Sequence, residues 1–158
     1  MENVKLVSYA DQGGVWTIGM GHTLGVTAGM TCTLDQAMIW ARSDMAKVSA
    51  VVNKILHGTP KQNEFDAFVS LGFNIGIGAL QGASAVNLYN AGNLTEAANH
   101  FLLWDKVKAS VAEGLLKRRK CEAIILLGQP WKVATFANEA DRDTNATVLN
   151  LCLAAYHE

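Results

Sequence analysis

Glu2, Asp11 and Thr17 are the residues of this 158-residue chain whose types and spacing suit one chemistry. An acid that protonates a leaving oxygen, a carboxylate that polarises water or opposes a developing cation, and a hydroxyl that holds the water form the set used to hydrolyse a glycosidic bond. Asp11 stands at the mouth of a turn made by Gln12, Gly13 and Gly14. The run Val15, Trp16, Thr17, Ile18 alternates as a strand does, which predicts Val15 and Thr17 on one face and Trp16 and Ile18 on the other, with Thr17 on an open face near Asp11. Glu2 is expected to close a helical segment, because Asn3 tolerates the left-handed conformation that ends helices before Val4, Leu6 and Tyr9 lead into extended chain. The bland alternative for the same residues is an acidic helix end and a solvated hairpin.

The elements that must position this set follow in order. Thr23 to Thr31, rich in Gly and Thr, reads as a loop or hairpin after which β structure stops. Thr33 with Gln36 three residues on is a capping box, and Ala37, Ile39, Trp40, Ala41, Met45, Val48, Val51, Val52, Ile55 and Leu56 continue at helical spacing, predicting one helix of about six turns. Thr59 with Pro60 marks the start of the next helix, whose Phe65, Phe68, Val69, Gly72 and Phe73 predict a buried segment ended by Asn74-Ile75-Gly76. Two short helices, Ser84 to Asn90 and Leu94 to Trp104, are joined by Ala91-Gly92-Asn93 and expected to pack antiparallel. A helix over Glu113 to Glu122 carries Arg118 and Arg119; solvated pairing with Glu122 at helical spacing is one reading of them. The polar stretch Asn138 to Asn145 precedes an apolar tail helix expected from Ala146 to Tyr156.

Composition narrows the class. Half the residues are apolar and the net charge is -1, so the chain supports a sizeable core but lacks the overall basicity of a nucleic-acid binder. Lys117 to Lys120 is a local basic cluster only. No apolar run reaches the roughly 20 residues of a membrane helix, and no leader precedes Glu2, so a soluble product without a visible export signal is expected. Cys32, Cys121 and Cys152 lack zinc-site or disulfide-framework spacing and read as small buried hydrophobes and free thiols. No metal or organic cofactor is expected. The glycines at Gly19 to Gly21 and Gly76 to Gly78 lack the strand-to-helix context of a phosphate loop.

Glu2, Asp11, Thr17 and the turn Gly19-Met20-Gly21-His22, with Tyr9, Gly14 and Trp16 in register, resemble the phage-type lysozymes, the T4-like endolysins. The stretch ending in Phe73-Asn74 and the Gly-Leu, Arg-Arg, Glu stretch from Gly114 to Glu122 are similar to two further family segments, and the likeness extends to about Trp131. It implies an α+β, mostly α fold in one domain: a small β lobe over about 1–32, a connecting helix over 33–56, and a helical lobe over 57–158. Glu2 becomes the acid, Asp11 the ionised partner and Thr17 the holder of water. Gly21, Phe73 and Asn74 line the sugar cleft, His22 pairs with Asp44 as a structural ion pair, and Arg118 or Arg119 contacts the catalytic glutamate. The resemblance implies hydrolysis, by the family's inverting course, of the β-1,4 bond between N-acetylmuramic acid and N-acetylglucosamine, by a monomer whose partner is peptidoglycan, made in a host cytoplasm and acting on the wall. A wall-binding scaffold of the same fold and a lytic transglycosylase are the competing classes. The family places a helix before the glutamate where this chain has Met1 alone, which reads as a truncated or engineered member and predicts a groove that the tail helix covers.

Overall fold

A computed structural model of the chain describes residues 4–11, 13–107 and 110–128. Glu2, Cys152, the polar stretch Asn138 to Asn145 and the expected tail helix lie outside the described residues. The chain divides into two compact units at Lys47 and Val48.

The first unit is built on a hairpin of β1 (Lys5–Ala10) and β2 (Trp16–Gly19), paired antiparallel with Tyr9 opposite Thr17 and Ala10 opposite Trp16. The pairing is irregular between Lys5 and Tyr9. The other edge of β1 is also used: Ser8 N–H donates to the Met30 carbonyl at 2.8 Å and Cys32 N–H to the Leu6 carbonyl at 2.9 Å. The Thr23 to Thr31 loop therefore returns to shield an edge that would otherwise present unpaired groups. Ile18 and His22 exchange backbone bonds of 2.9 and 3.0 Å across the glycine turn. Gly19 has a φ of 66°, and a Cβ there would stand 3.0 Å from the Cβ of Ala37, so glycine permits both the turn and its close approach to the following helix.

That helix, α1 (Leu34–Ile55), starts where the sequence places it: Thr33 Oγ1 accepts from Gln36 N–H at 3.1 Å. Of the apolar positions at helical spacing, Ala37, Ala41 and Met45 are buried in the first unit and Val48, Val52 and Leu56 in the second, whereas Trp40, Val51 and Ile55 flank this stripe half-buried and Ile39 is exposed.

In the second unit α2 (Gln62–Ile75) begins two residues beyond Pro60, which does not occupy the first helical position. Lys61 is extended, and its N–H is held by the Glu64 carboxylate at 2.9 Å, so that bond rather than proline sets the start. Then follow α3 (Ile77–Gln81), α4 (Ser84–Asn90) and α5 (Leu94–Phe101), a short 3-10 turn over Leu102–Trp104, and α6 (Glu113–Leu126). Ser84 at the start of α4 bonds His100 near the end of α5 at 2.7 Å, the antiparallel arrangement their short loop demands. Asn90 ties down the end of α1, donating to the Ile55 carbonyl and accepting from His57 N–H, both at 2.8 Å. Phe68 packs edge-to-face with Tyr89 and Phe101, at 5.3 and 5.1 Å between ring centroids. β structure does not stop at Thr31: β3 (Lys106–Val107) and β4 (Ser110–Val111) form a second small antiparallel pair. Its strands are too short for a periodicity reading to register. Cys32 is half-buried, Cys121 is buried, and both are free thiols.

Candidate active site

The turn between the strands is organised by Asp11. Its backbone N–H donates to the Val15 carbonyl and its own carbonyl accepts from Gly14 N–H, both at 2.9 Å. Its Oδ1 accepts from Val15 N–H at 2.8 Å. The carboxylate is exposed, and this bond fixes its orientation by one oxygen while Oδ2 carries no bond among the described residues.

Thr17 departs from the expected open face. It is 4% exposed, Ile18 is fully buried, and Val15 and Trp16 are 50% and 40% exposed. Burial along β2 thus follows distance from the hairpin tip rather than residue parity. The Thr17 hydroxyl donates to the Val15 carbonyl at 3.1 Å, which leaves its lone pairs as acceptors. Register and the Asp11 to Val15 backbone bond put Tyr9, Asp11, Val15 and Thr17 on one face of the hairpin. Gly21, at the exposed turn, has a φ of 106° that a side chain would strain.

His22 Nδ1 lies 2.6 Å from Asp44 Oδ2, with the histidine buried and the aspartate half-buried. Two neighbours complete this contact: Trp40, which the helical spacing marked only as an apolar position, and Lys47, which it did not mark at all. The Trp40 ring stacks on the imidazole at 4.8 Å and 10°, and Lys47 Nζ donates to Asp44 Oδ1 at 3.0 Å. Both lie one helical turn from Asp44 along α1, the signal that could have found them.

In the second unit Phe73 is half-buried and Asn74 exposed at the end of α2. Arg118 is half-buried, whereas Arg119 is fully buried. Arg119 pairs with Glu122: Nη2 donates to Oε1 at 2.9 Å, and Nε lies 2.8 Å from Oε2 without the geometry of a hydrogen bond, so the pairing at helical spacing exists but is not solvated, and among the described residues Nε, Nη1 and Oε2 are buried without a hydrogen bond. Ser70 on α2 donates to the same Oε1 at 2.7 Å. Burial pushes the Glu122 carboxyl up, opposed by the charge of Arg119 and the Ser70 bond. The same burial pushes the Arg119 guanidinium down, opposed by Glu122. A guanidinium does not lose its proton in proteins, so a positive charge stays buried beside Glu122. Its neighbour Ser70 was missed because a lone serine inside an apolar helix carries no sequence signal.

A hairpin bearing an oriented carboxylate, one long helix and a set of short helices define an α+β, mostly α protein of the lysozyme fold. An endolysin from Escherichia coli O157:H7 phage FAHEc1 superposes with a TM-score of 0.69 at 37% identity, over 82% of this chain and 88% of that one. The muramidase domain of SpmX from Asticaccaulis excentricus gives 0.69 at 32% identity, over 80% and 88% of the two chains. An endolysin of Acyrthosiphon pisum secondary endosymbiont phage 1 is 35% identical over 125 residues, 77% of this chain and 86% of its own length. Residues 1–122 match the family described as phage lysozyme. The chain belongs to that family, the lysozyme-type glycoside hydrolases that lyse peptidoglycan.

Proposed function

We propose that this chain hydrolyses the β-1,4 bond between N-acetylmuramic acid and N-acetylglucosamine in the bacterial wall, with inversion at the anomeric carbon. The observation that carries the reading is the hairpin face, where Asp11 is held by one oxygen and Thr17 has already donated its proton. A water placed there gives one hydrogen bond to Asp11 Oδ2 and one to Thr17 Oγ1, which turns its lone pair toward the sugar. As its oxygen bonds to the anomeric carbon, its proton passes to Asp11. The glycosidic bond breaks, and Glu2 gives its proton to the departing oxygen. Inversion requires the two carboxyl groups roughly 6.5 to 9.5 Å apart, leaving space for that water. Gly21, Phe73 and Asn74 contact the saccharide, and the His22 and Asp44 pair holds the glycine turn on α1. No described helix is long and apolar enough to cross a membrane, and the wall is the site of action.

Products from purified walls test this directly. Hydrolysis adds one water per bond cleaved and, with inversion, first releases the α anomer, visible by NMR. A product mass without added water indicates transglycosylation, and an initial β anomer indicates retention; either result rejects the mechanism as drawn. Glu2→Gln keeps the shape of the acid without its proton and is expected to slow wall lysis by about 10² to 10⁴-fold.

A further inference from the structure

The strongest unassigned feature lies beside Asp11. Tyr9 is opposite Thr17 in the hairpin and two residues before Asp11, so all three side chains stand on one face. Two residues of extended chain span about 7 Å, close to the breadth of one hexose ring. A sugar whose anomeric carbon meets water held by Asp11 and Thr17 therefore reaches Tyr9, and no more distant sugar needs to.

From this register we propose that Tyr9 is a saccharide-binding residue, its ring lying against the N-acetylhexosamine whose anomeric carbon is attacked and its hydroxyl donating to an oxygen of that sugar. The inference rests on the hydrolase reading above and assigns its hairpin face one substrate contact more.

Three observations support it. Tyr9 is 39% exposed, although it lies in the paired part of β1 rather than at the tip, so a broad apolar surface with a polar end remains available to a ligand. Tyrosine supplies such a surface at low entropic cost because only two side-chain torsions must be fixed. A pyranose ring is complementary to it, with C–H bonds on its faces and hydroxyls on its edges. Finally, burial and then the Asp11 carboxylate both push the Tyr9 phenol up from its usual value. The shift favours the protonated phenol, which acts as a donor.

A contact of this kind is made equally in the ground state and the transition state, so its loss raises KM and leaves kcat in place. Tyr9→Thr, which removes the ring but keeps a residue suited to a strand, is expected to raise KM for labelled soluble peptidoglycan fragments about tenfold, with kcat within about twofold. Tyr9→Phe restores the ring without the donor, and its KM should sit about threefold above the parent value. Asp11→Asn, assayed in parallel, should lose kcat. Unchanged KM in both Tyr9 variants overturns the inference, as does a fall in kcat at constant KM. If Tyr9→Thr does not fold, Tyr9→Phe decides: a KM equal to the parent value rejects the contact. Where Asp11→Asn keeps full kcat, the hydrolase reading itself is wrong and this inference falls with it. Lost activity in Asp11→Asn beside unaltered Tyr9 kinetics removes only the inference.

Discussion

The hairpin of the first unit and the helical interior of the second treat the same kinds of side chain in opposite ways. Asp11 is exposed, tied to its own turn through one oxygen, and free at the other among the described residues. Glu122 is 1% exposed, and its oxygens meet Arg119 and Ser70. Apolar residues diverge as well: Leu6, Val7, Val15 and Trp16 stay at least 40% exposed on the hairpin, while the helices bury even Glu64, Asp66 and Arg119. A charged group sealed from water against its counter-charge contributes to structure, and burying it gains little unless its partner is present. One left with open capacity beside water is available for a substrate. The difference lies in whether water reaches the carboxylate, not in which residue it is.

The largest expected effect breaks the hairpin side of this contrast. Asp11→Asn keeps an oxygen able to accept from Val15 N–H, so the turn should persist and the melting temperature should change little. Turnover on purified walls should nonetheless fall by about 10² to 10⁴-fold, because an amide neither takes up the proton of water nor opposes positive charge at the anomeric carbon. Equal turnover of the two proteins would remove Asp11 from the reaction.

Glu122→Gln probes the other side. The amide can still accept from Ser70 but leaves the Arg119 charge buried without a counter-charge, and breaking a buried pair in this way costs about 3 to 5 kcal/mol. Urea unfolding at neutral pH should show that loss, while the folded fraction at low temperature keeps the parent kcat. A variant as stable as the parent would mean that Arg119 finds its counter-charge elsewhere, and the contrast drawn above would then be misplaced.

The sequence was most informative where local rules act alone. Thr33 caps α1, and six of the ten apolar positions from Ala37 to Leu56 are buried with Ile39 alone of them exposed, because capping and helical periodicity depend on residues a few positions apart. Asp11 at the mouth of its turn was legible for the same reason. Burial of Thr17 was not, since it is set by what surrounds the base of the hairpin, and parity along a short strand says nothing about that. The start of α2 at Gln62 rather than Pro60 turns on a carboxylate that serves two donors, Lys61 N–H and the Tyr89 hydroxyl 25 positions away. That Arg119 rather than Arg118 is buried against Glu122 is likewise a tertiary fact, and the expected arginine contact with Glu2 lies outside the described residues. Family likeness supplied the substrate, which no spacing contains.

Tyr89 gives the smallest effect and the one that depends most on pH. Its hydroxyl donates to Glu64 Oε2 at 2.7 Å, the oxygen that also accepts from Lys61 N–H. Burial, then the bond to Glu64 and its charge, push the phenol up to about 12. In the unfolded chain the same phenol titrates near 10. Between pH 10 and 12 the unfolded chain has released this proton and the folded protein has not, so stability falls as pH rises through that window. Below pH 10 the contribution is complete; above about pH 12 it is gone. Tyr89→Phe should cost about 1 kcal/mol at neutral pH, since Glu64 keeps its backbone donor and the site is partly open to solvent. Its deficit relative to the parent should then shrink from pH 10 to 12, because the variant has no proton there to lose. Tyr9 is also shifted upward, but it is present in both proteins and cancels in the difference. Denaturant titrations of the pair at pH 9, 10, 11 and 12 measure the gap; one that stays constant would show that the phenol is not held by Glu64, and the bond that sets the start of α2 would then be the backbone contact alone.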